Sequence, residues 1–462
     1  MRGTSIKFAI TAAIAAAVLA ACTVGGTRAS SSVTHSPAAM TPSIATTTST
    51  SAVVTVPPVP ALSRTSPVTS TSASMTPATS APALATGDTS VASSRPEPTP
   101  VVLPAVTYST SPKPGSTGIS PRTAITLKAA HGTLADIALT GSDGTIVKGT
   151  LSTDRATWTL AEPLDYDQTY TLAGRAVSAA GKAVVITGTY GTVHPDDVIH
   201  ASISPGDAGK VGIGAPILIS LGTDILDTAG RQNIERAISV ETAPRTPGSF
   251  AWIRHDDGWG LDWRPKAYWA PGTKVSVKAN LYGVNYGENL WGKADLTSSF
   301  TIGRSEITKG DIHTHHLKVY RSGKLVFDFP TSFGLESDPG RVTHGGTYIV
   351  MSKEYLHLMS NPAYHYTNFK AYYAVRISNN GTFIHANDGT ADVQGYENVT
   401  HGCANLTTSN AKAFYDQTMY GDPVEISNSS IPMSQSDGDV YDWSIPWDKW
   451  QSMSALSPSY VS

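Results

Sequence analysis

Cysteine is almost missing from this chain. Its 462 residues hold two, Cys22 and Cys403. Cys22 sits at the end of the leader, so disulfides contribute nothing to the fold. Charge is sparse as well, at 15% charged residues and a net −3. That balance excludes the basic footprint of a nucleic-acid-binding protein. A long hydrophobic run is also lacking. The apolar stretch at residues 9–21 is too short and too rich in alanine to span a bilayer. Residues 23 to about 104 lack any hydrophobic period, and only Arg28, Arg64, Asp88, Arg95 and Glu97 are charged there. A segment of Ser, Thr, Pro and Ala buries no core and is expected to be disordered. It reads as a flexible tether with an end-to-end reach of roughly 50 Å.

What is present begins with an export signal. Arg2 and Lys7 precede the apolar run, in the order of a secretory leader. The run ends in "LAAC", which resembles a bacterial lipobox. That resemblance makes Cys22 the lipidated mature N-terminus. The protein is then expected at the cell membrane, lipid-anchored and facing the periplasm or cell wall. An ordinary cleaved signal is the alternative. In either case Cys403 is left alone, and an odd cysteine in an exported protein flags a reactive thiol or an intermolecular bridge.

After residue 105 short alternating runs appear, such as "AITLKA", "ATWTLA" and "AVVITGTY", separated by Gly, Pro, Asp and Ser. This is the spacing of a β-sandwich. A second copy follows about 100 residues on. "SPKPGSTGISPRTAITL" from Ser111 resembles "SPGDAGKVGIGAPILISL" from Ser204, and the segment from Trp158 resembles that from Trp263. Two tandem immunoglobulin-like domains are expected, with both tryptophans as packing residues. From residue 307 a third β-rich unit begins. "HHLKVYRSGKLVFDF" reads as a hairpin turning near Ser322–Gly323, and "AVRISNNGTFIHAN" as one turning at Asn380–Gly381. Between them "KEYLHLMSNPAYHYTNFKAYY" interrupts the alternation and reads as a long loop of the lid or binding type. "TTSNAKAFYDQTMYG" reads as a helix capped by Thr408 or Ser409 and stopped by Gly421. The expected divisions are a leader at 1–21, a tether at 22–104, sandwiches at 105–194 and 195–304, a catalytic domain at 305–428, and an extension at 429–462 packed on the preceding domains. The fold class is mainly β and multidomain.

A free thiol is only a few per cent ionised near neutrality and needs a base or a cation. His401 would have to curl back to Cys403 across a single glycine. His385 closes the strand "GTFIH" and can face the thiol from a neighbouring strand, so it is the expected base. Gly402 permits a tight turn. The N–H groups of Gly402 and Cys403, upstream of a helix, can form an oxyanion hole.

His385, a spacer of fourteen residues and then "THGCAN" resemble the signature of the L,D-transpeptidase (YkuD-like) catalytic domain. "PTSFG", "GGTYIV" and "NAKAFYD" resemble the same family. The paired sandwiches, the lipobox and "YDWSIPWDKW" resemble its mycobacterial members. The resemblance implies a cysteine acyltransferase acting on peptidoglycan tetrapeptide stems as donor and acceptor. Cys403 attacks the third stem residue, D-Ala leaves, and an amine of a second stem resolves the thioester into a 3→3 cross-link. It implies His385, His401 and Cys403 as the catalytic set, with Gly402 and Asn405 shaping the site. The lid tyrosines Tyr364, Tyr366, Tyr372 and Tyr373 do not align unambiguously with the family; Tyr366 and Tyr373 are the expected substrate contacts, with packing as the alternative. The resemblance also implies acylation by carbapenems and no metal or organic cofactor. Two departures stand out. Ala386 replaces a serine common after the base histidine, which changes little if that position acts through its carbonyl. "HANDG" lacks an aromatic residue, so acceptor binding is expected to differ. An L,D-carboxypeptidase using water as acceptor and a non-catalytic wall-binding lipoprotein remain alternatives. "HTHH" at residues 313–316 would place His313 and His315 on one strand face, but no ligand spacing follows.

Overall fold

The computed structural model describes residues 104–460, so the expected leader, Cys22 and nearly all of the tether lie outside the described residues. The first sandwich pairs two sheets. One has the strand order Thr107–Ser111, Thr126–Ala130, Thr157–Leu160, Gly149–Leu151. The other runs Ser116–Ile119, Ala183–Thr192, Thr169–Ser178, Gly132–Gly141, Ile146–Val147. Alternation builds it: Tyr170, Leu172 and Ala176 point into the core while Thr169, Thr171, Ala173 and Arg175 face outward or sit at its edge.

The second sandwich repeats that strand order. Ser202–Ser204, Ile217–Ser220, Gly258–Pro265 and Gly248–His255 form one sheet. Ala208–Val211, Leu296–Ile302, Lys274–Ala279 and Ile238–Ala243 form the other. Trp158 stands opposite Leu127, and Trp263 opposite Ile217, at matching places in the two copies. Both indoles are packing residues, buried beside a glycine on the next strand. A Cβ on Gly149 would lie 2.1 Å from the Trp158 ring, and one on Gly248 2.0 Å from Trp263. The second copy adds a helix, Thr228–Arg236, that the alternation did not reveal. Asp227 caps it by accepting the Gly230 N–H.

The third unit stacks a five-stranded sheet on a four-stranded one. The first has the order Lys324–Pro330, His316–Arg321, Glu306–Asp311, Pro423–Ser427, Gly346–Ile349. The second runs Ser352–Asn361, Tyr366–Arg376, Phe383–Ala386, Ala404–Leu406. Leu317, Val319, Phe333, Tyr348, Ile384, Leu406, Phe414 and Val424 fill the space between. Both expected hairpins form.

Several local expectations are corrected. The "KEYLHLM…" segment is a two-stranded hairpin with a 3-10 turn, Pro362–Tyr364, at its tip. Its alternation was hidden because Leu356, Leu358 and Tyr372 are exposed while Met359 and Phe369 turn toward a cavity. The helix is Thr408–Gln417, capped by the Thr407 hydroxyl and closed at Thr418, three residues before Gly421. In "HTHH", His313 to His315 lie in a turn and only His316 belongs to a strand. Asp311 accepts the N–H groups of His313 and Thr314, which folds the segment into a turn.

Residues 429–437 bond to the catalytic unit through Gly345 and Ser378, and residues 443–460 pack on the second sandwich. Trp450 is fully buried and donates to Ser249 O, and Trp443 donates to Gly214 O. The Arg264 guanidinium lies over the rings of Trp443, Trp447 and Trp450 at 4.8, 5.2 and 4.4 Å.

Candidate active site

Strands Phe383–Ala386 and Ala404–Leu406 run parallel, with His385 opposite Asn405. Residues opposite one another share a face, and side chains two apart on a strand share it too. His385, Asn405 and Cys403 therefore open to the same side. They line one cavity of about 250 Å³, roofed by Met359, Tyr366 and Phe369 of the hairpin, with His401 at its wall.

The imidazole of His385 is 3% exposed. Its Nδ1 lies 2.9 Å from Ala386 O. A carbonyl only accepts, so Nδ1 carries the hydrogen and Nε2 keeps a free lone pair. The Ala386 departure is thereby explained: the position acts through its backbone. Burial pulls His385 down to about 4; the carbonyl opposes this and His357 adds to it. Burial pushes the Cys403 thiol up to about 11, against a lowering by the Phe383 N–H and Arg376. The thiol rests 3.7 Å from Gly381 O. The resting pair is therefore neutral thiol and neutral imidazole.

The remaining expected residues divide. Asn405 is buried and its Oδ1 has no partner among the described residues. The Ser332 and Asn405 backbones bond reciprocally at 3.2 and 2.8 Å, which fixes this side chain's base. His401 is exposed, its ring packed against Tyr364 at 4.8 Å and Tyr366 at 5.6 Å. It ties the hairpin tip to the cysteine loop. Gly402 adopts φ +105, which favours glycine, and accepts from the Thr343 hydroxyl. Tyr366 faces the cavity. Tyr373 does not: it packs on Tyr355 and Tyr415. A register shift between Tyr372 and Val375, with φ +48 at Tyr373, breaks the alternation and turns the ring toward the helix. The helix does not follow the thiol directly, because Ala404–Leu406 and the Thr407 cap intervene. Sequence reasoning missed Met359 and Phe369, which are hidden in the irregular-looking segment. It also missed Arg341, whose guanidinium holds the carbonyls of Val399 and Thr400.

Comparison with known proteins agrees with this architecture. Residues 116–285 match a bacterial Ig domain, and residues 308–426 match the L,D-transpeptidase catalytic domain. The chain is 42% identical over 372 residues to L,D-transpeptidase 5 of Mycobacterium tuberculosis, covering 80% of each chain. It is 34% identical over 351 residues to L,D-transpeptidase 2 of the same species, covering 74% of this chain and 83% of that one. A solved structure of the L,D-transpeptidase LdtMt1 in complex with imipenem is 32% identical, with a TM-score of 0.41, and covers 50% of this chain and 99% of its own. The chain belongs to the L,D-transpeptidase family, and it is an enzyme of that kind.

Proposed function

We propose that this enzyme forms 3→3 cross-links between peptidoglycan stem peptides through a thioester on Cys403. The observation that carries the reading is the shared face of His385, Cys403 and Asn405 in one cavity, with the His385 tautomer set by Ala386 O. The Cys403 proton passes to His385 Nε2 as sulfur attacks the carbonyl of the third stem residue. The carbonyl electron pair moves to oxygen, then returns and expels the D-Ala amine, which takes the proton from the imidazolium. The acceptor amine then attacks the thioester. A new C–N bond forms, the C–S bond breaks, and the amine's proton returns to sulfur through His385. Asn405 Oδ1 and Tyr366 are positioned to hold the stem, and no cofactor takes part. Carbapenems enter as carbonyl electrophiles for the same thiol. On this reading the lipid on Cys22 holds the enzyme at the membrane, facing the wall.

The test is product mass. Incubation with disaccharide-tetrapeptide should yield dimers linked 3→3 and free D-Ala. Tripeptide alone, formed whether or not an amine acceptor is present, would make the enzyme a carboxypeptidase. The anchor is tested separately: detergent-phase partitioning should be lost in Cys22→Ala, and unchanged partitioning would remove it.

A further inference from the structure

We propose that Thr343 is a positioning residue for acyl transfer. Its hydroxyl turns the Gly402–Cys403 peptide so that the Cys403 N–H is free to meet the carbonyl oxygen under attack. The proposal rests on Cys403 being the nucleophile.

Thr343 is 1% exposed, lies far from Cys403 in sequence and is not part of the cavity wall. Its Oγ1 accepts the Gly334 N–H at 2.8 Å and lies 2.9 Å from Gly402 O. A hydroxyl has one hydrogen, so it donates to Gly402 O. The backbone of Thr343 is anchored in turn, since its carbonyl accepts from the Ser429 hydroxyl at 2.7 Å. In a planar trans peptide the C=O and the following N–H point in opposite directions. Drawing the Gly402 carbonyl toward Thr343 therefore aims the Cys403 N–H away from it. That N–H has no acceptor among the described residues, and neither has the N–H of Gly402.

The neighbouring carbonyls follow the same rule. Arg341 holds those of Val399 and Thr400, and the Thr400 hydroxyl holds that of Cys403 at 2.6 Å. Free carbonyl dipoles beside a developing oxyanion would oppose it, whereas free N–H groups stabilise it. Gly402, at φ +105, offers little intrinsic resistance to a peptide flip. Thr343 supplies the restraint that glycine lacks.

Two reactions of one thiol separate positioning from general structure. Acylation by imipenem passes through an oxyanion, whereas alkylation by iodoacetamide displaces iodide from a saturated carbon and does not. On the full chain, Thr343→Val keeps the shape and removes the hydroxyl. Its acylation should slow by about tenfold to a hundredfold, while alkylation stays within about twofold of the unsubstituted chain. Thr343→Ser should restore acylation to within about threefold. If Thr343→Val does not fold, Thr343→Ala is read by the same ratio. Unchanged acylation, or equal slowing of both reactions, overturns the proposal. An unsubstituted chain that forms no adduct, or a Cys403→Ala chain that does, would instead sink the nucleophile reading on which it rests.

Discussion

Two buried histidines in different regions end in opposite charge states. His255, in the second sandwich, is 5% exposed and faces Asp262, with Nε2 at 3.0 Å from Oδ2. His385, in the catalytic unit, is 3% exposed and faces a carbonyl. Burial lowers both, but at His255 the carboxylates of Asp262, Asp439 and Asp442 together outweigh it and lift the group to about 9. No carboxylate compensates His385, which falls to about 4. A buried imidazole given a carboxylate is held as a cation. Given only a carbonyl, it stays neutral and keeps a lone pair for chemistry. At His255 the ring nitrogen is spent on Asp262, whereas His385 keeps its Nε2 lone pair beside the cavity that holds Cys403.

The largest expected effect falls on the catalytic side of this contrast. His385→Ala should slow acylation of Cys403 by a carbapenem by about 10²–10⁴ near neutral pH, read by intact-protein mass. Part of the rate should return as pH rises and the thiol ionises unaided. His401→Ala should cost less and show no such return, because its ring packs on the hairpin tyrosines. A return in His401→Ala and none in His385→Ala would exchange their roles.

On the sandwich side, Asp262→Asn leaves a buried imidazole without its partner. It should lose about 3–5 kcal/mol in denaturant unfolding. The acylation rate constant of the folded protein should not change. A parallel loss of acylation would mean that the two regions are chemically coupled.

Only the catalytic side of this contrast was legible in the sequence, and nothing there marked His255 or Asp262. Cys403 was readable as the odd cysteine and His385 as the end of a neighbouring strand, whereas Asn405 came only with the family resemblance. Trp158 and Trp263 were readable because the repeat carried them. Tyr373 misled because a bulge is invisible to period-two reasoning. The hairpin over the cavity reads as a loop because its sequence mixes exposed apolar and polar residues without alternation and is broken by Pro362. The helix at Thr228–Arg236 hid because its sequence, "TAGRQNIER", offers one strongly apolar residue, Ile234. The Thr343 and Arg341 contacts had no signal, since they join segments some 60 residues apart through backbone carbonyls.

Gly149→Ala and Gly248→Ala sharpen the comparison between the two sandwiches. Each added methyl meets an indole, and each should cost about 1–3 kcal/mol by denaturant midpoint. Similar losses would show one packing device used twice. A neutral result at either site would separate the copies.

The smallest effects are shifts of thermal midpoint with pH. His255 is raised on folding, so its contribution is full below about 6.5 and lost as pH rises through about 9. His385 is lowered, so its contribution is full above about 6.5 and lost as pH falls toward 4. Asp262→Asn should flatten the alkaline limb and His385→Ala the acid limb. The reverse assignment of limbs would contradict both charge states.

The most direct test of the neutral pair is the pH dependence of Cys403 alkylation by iodoacetamide in the unsubstituted chain. With the thiol pushed up to about 11, the rate should climb through pH 9 without a plateau below it. A plateau at or below neutral pH that disappears in His385→Ala would reveal a preformed thiolate–imidazolium pair and contradict the account.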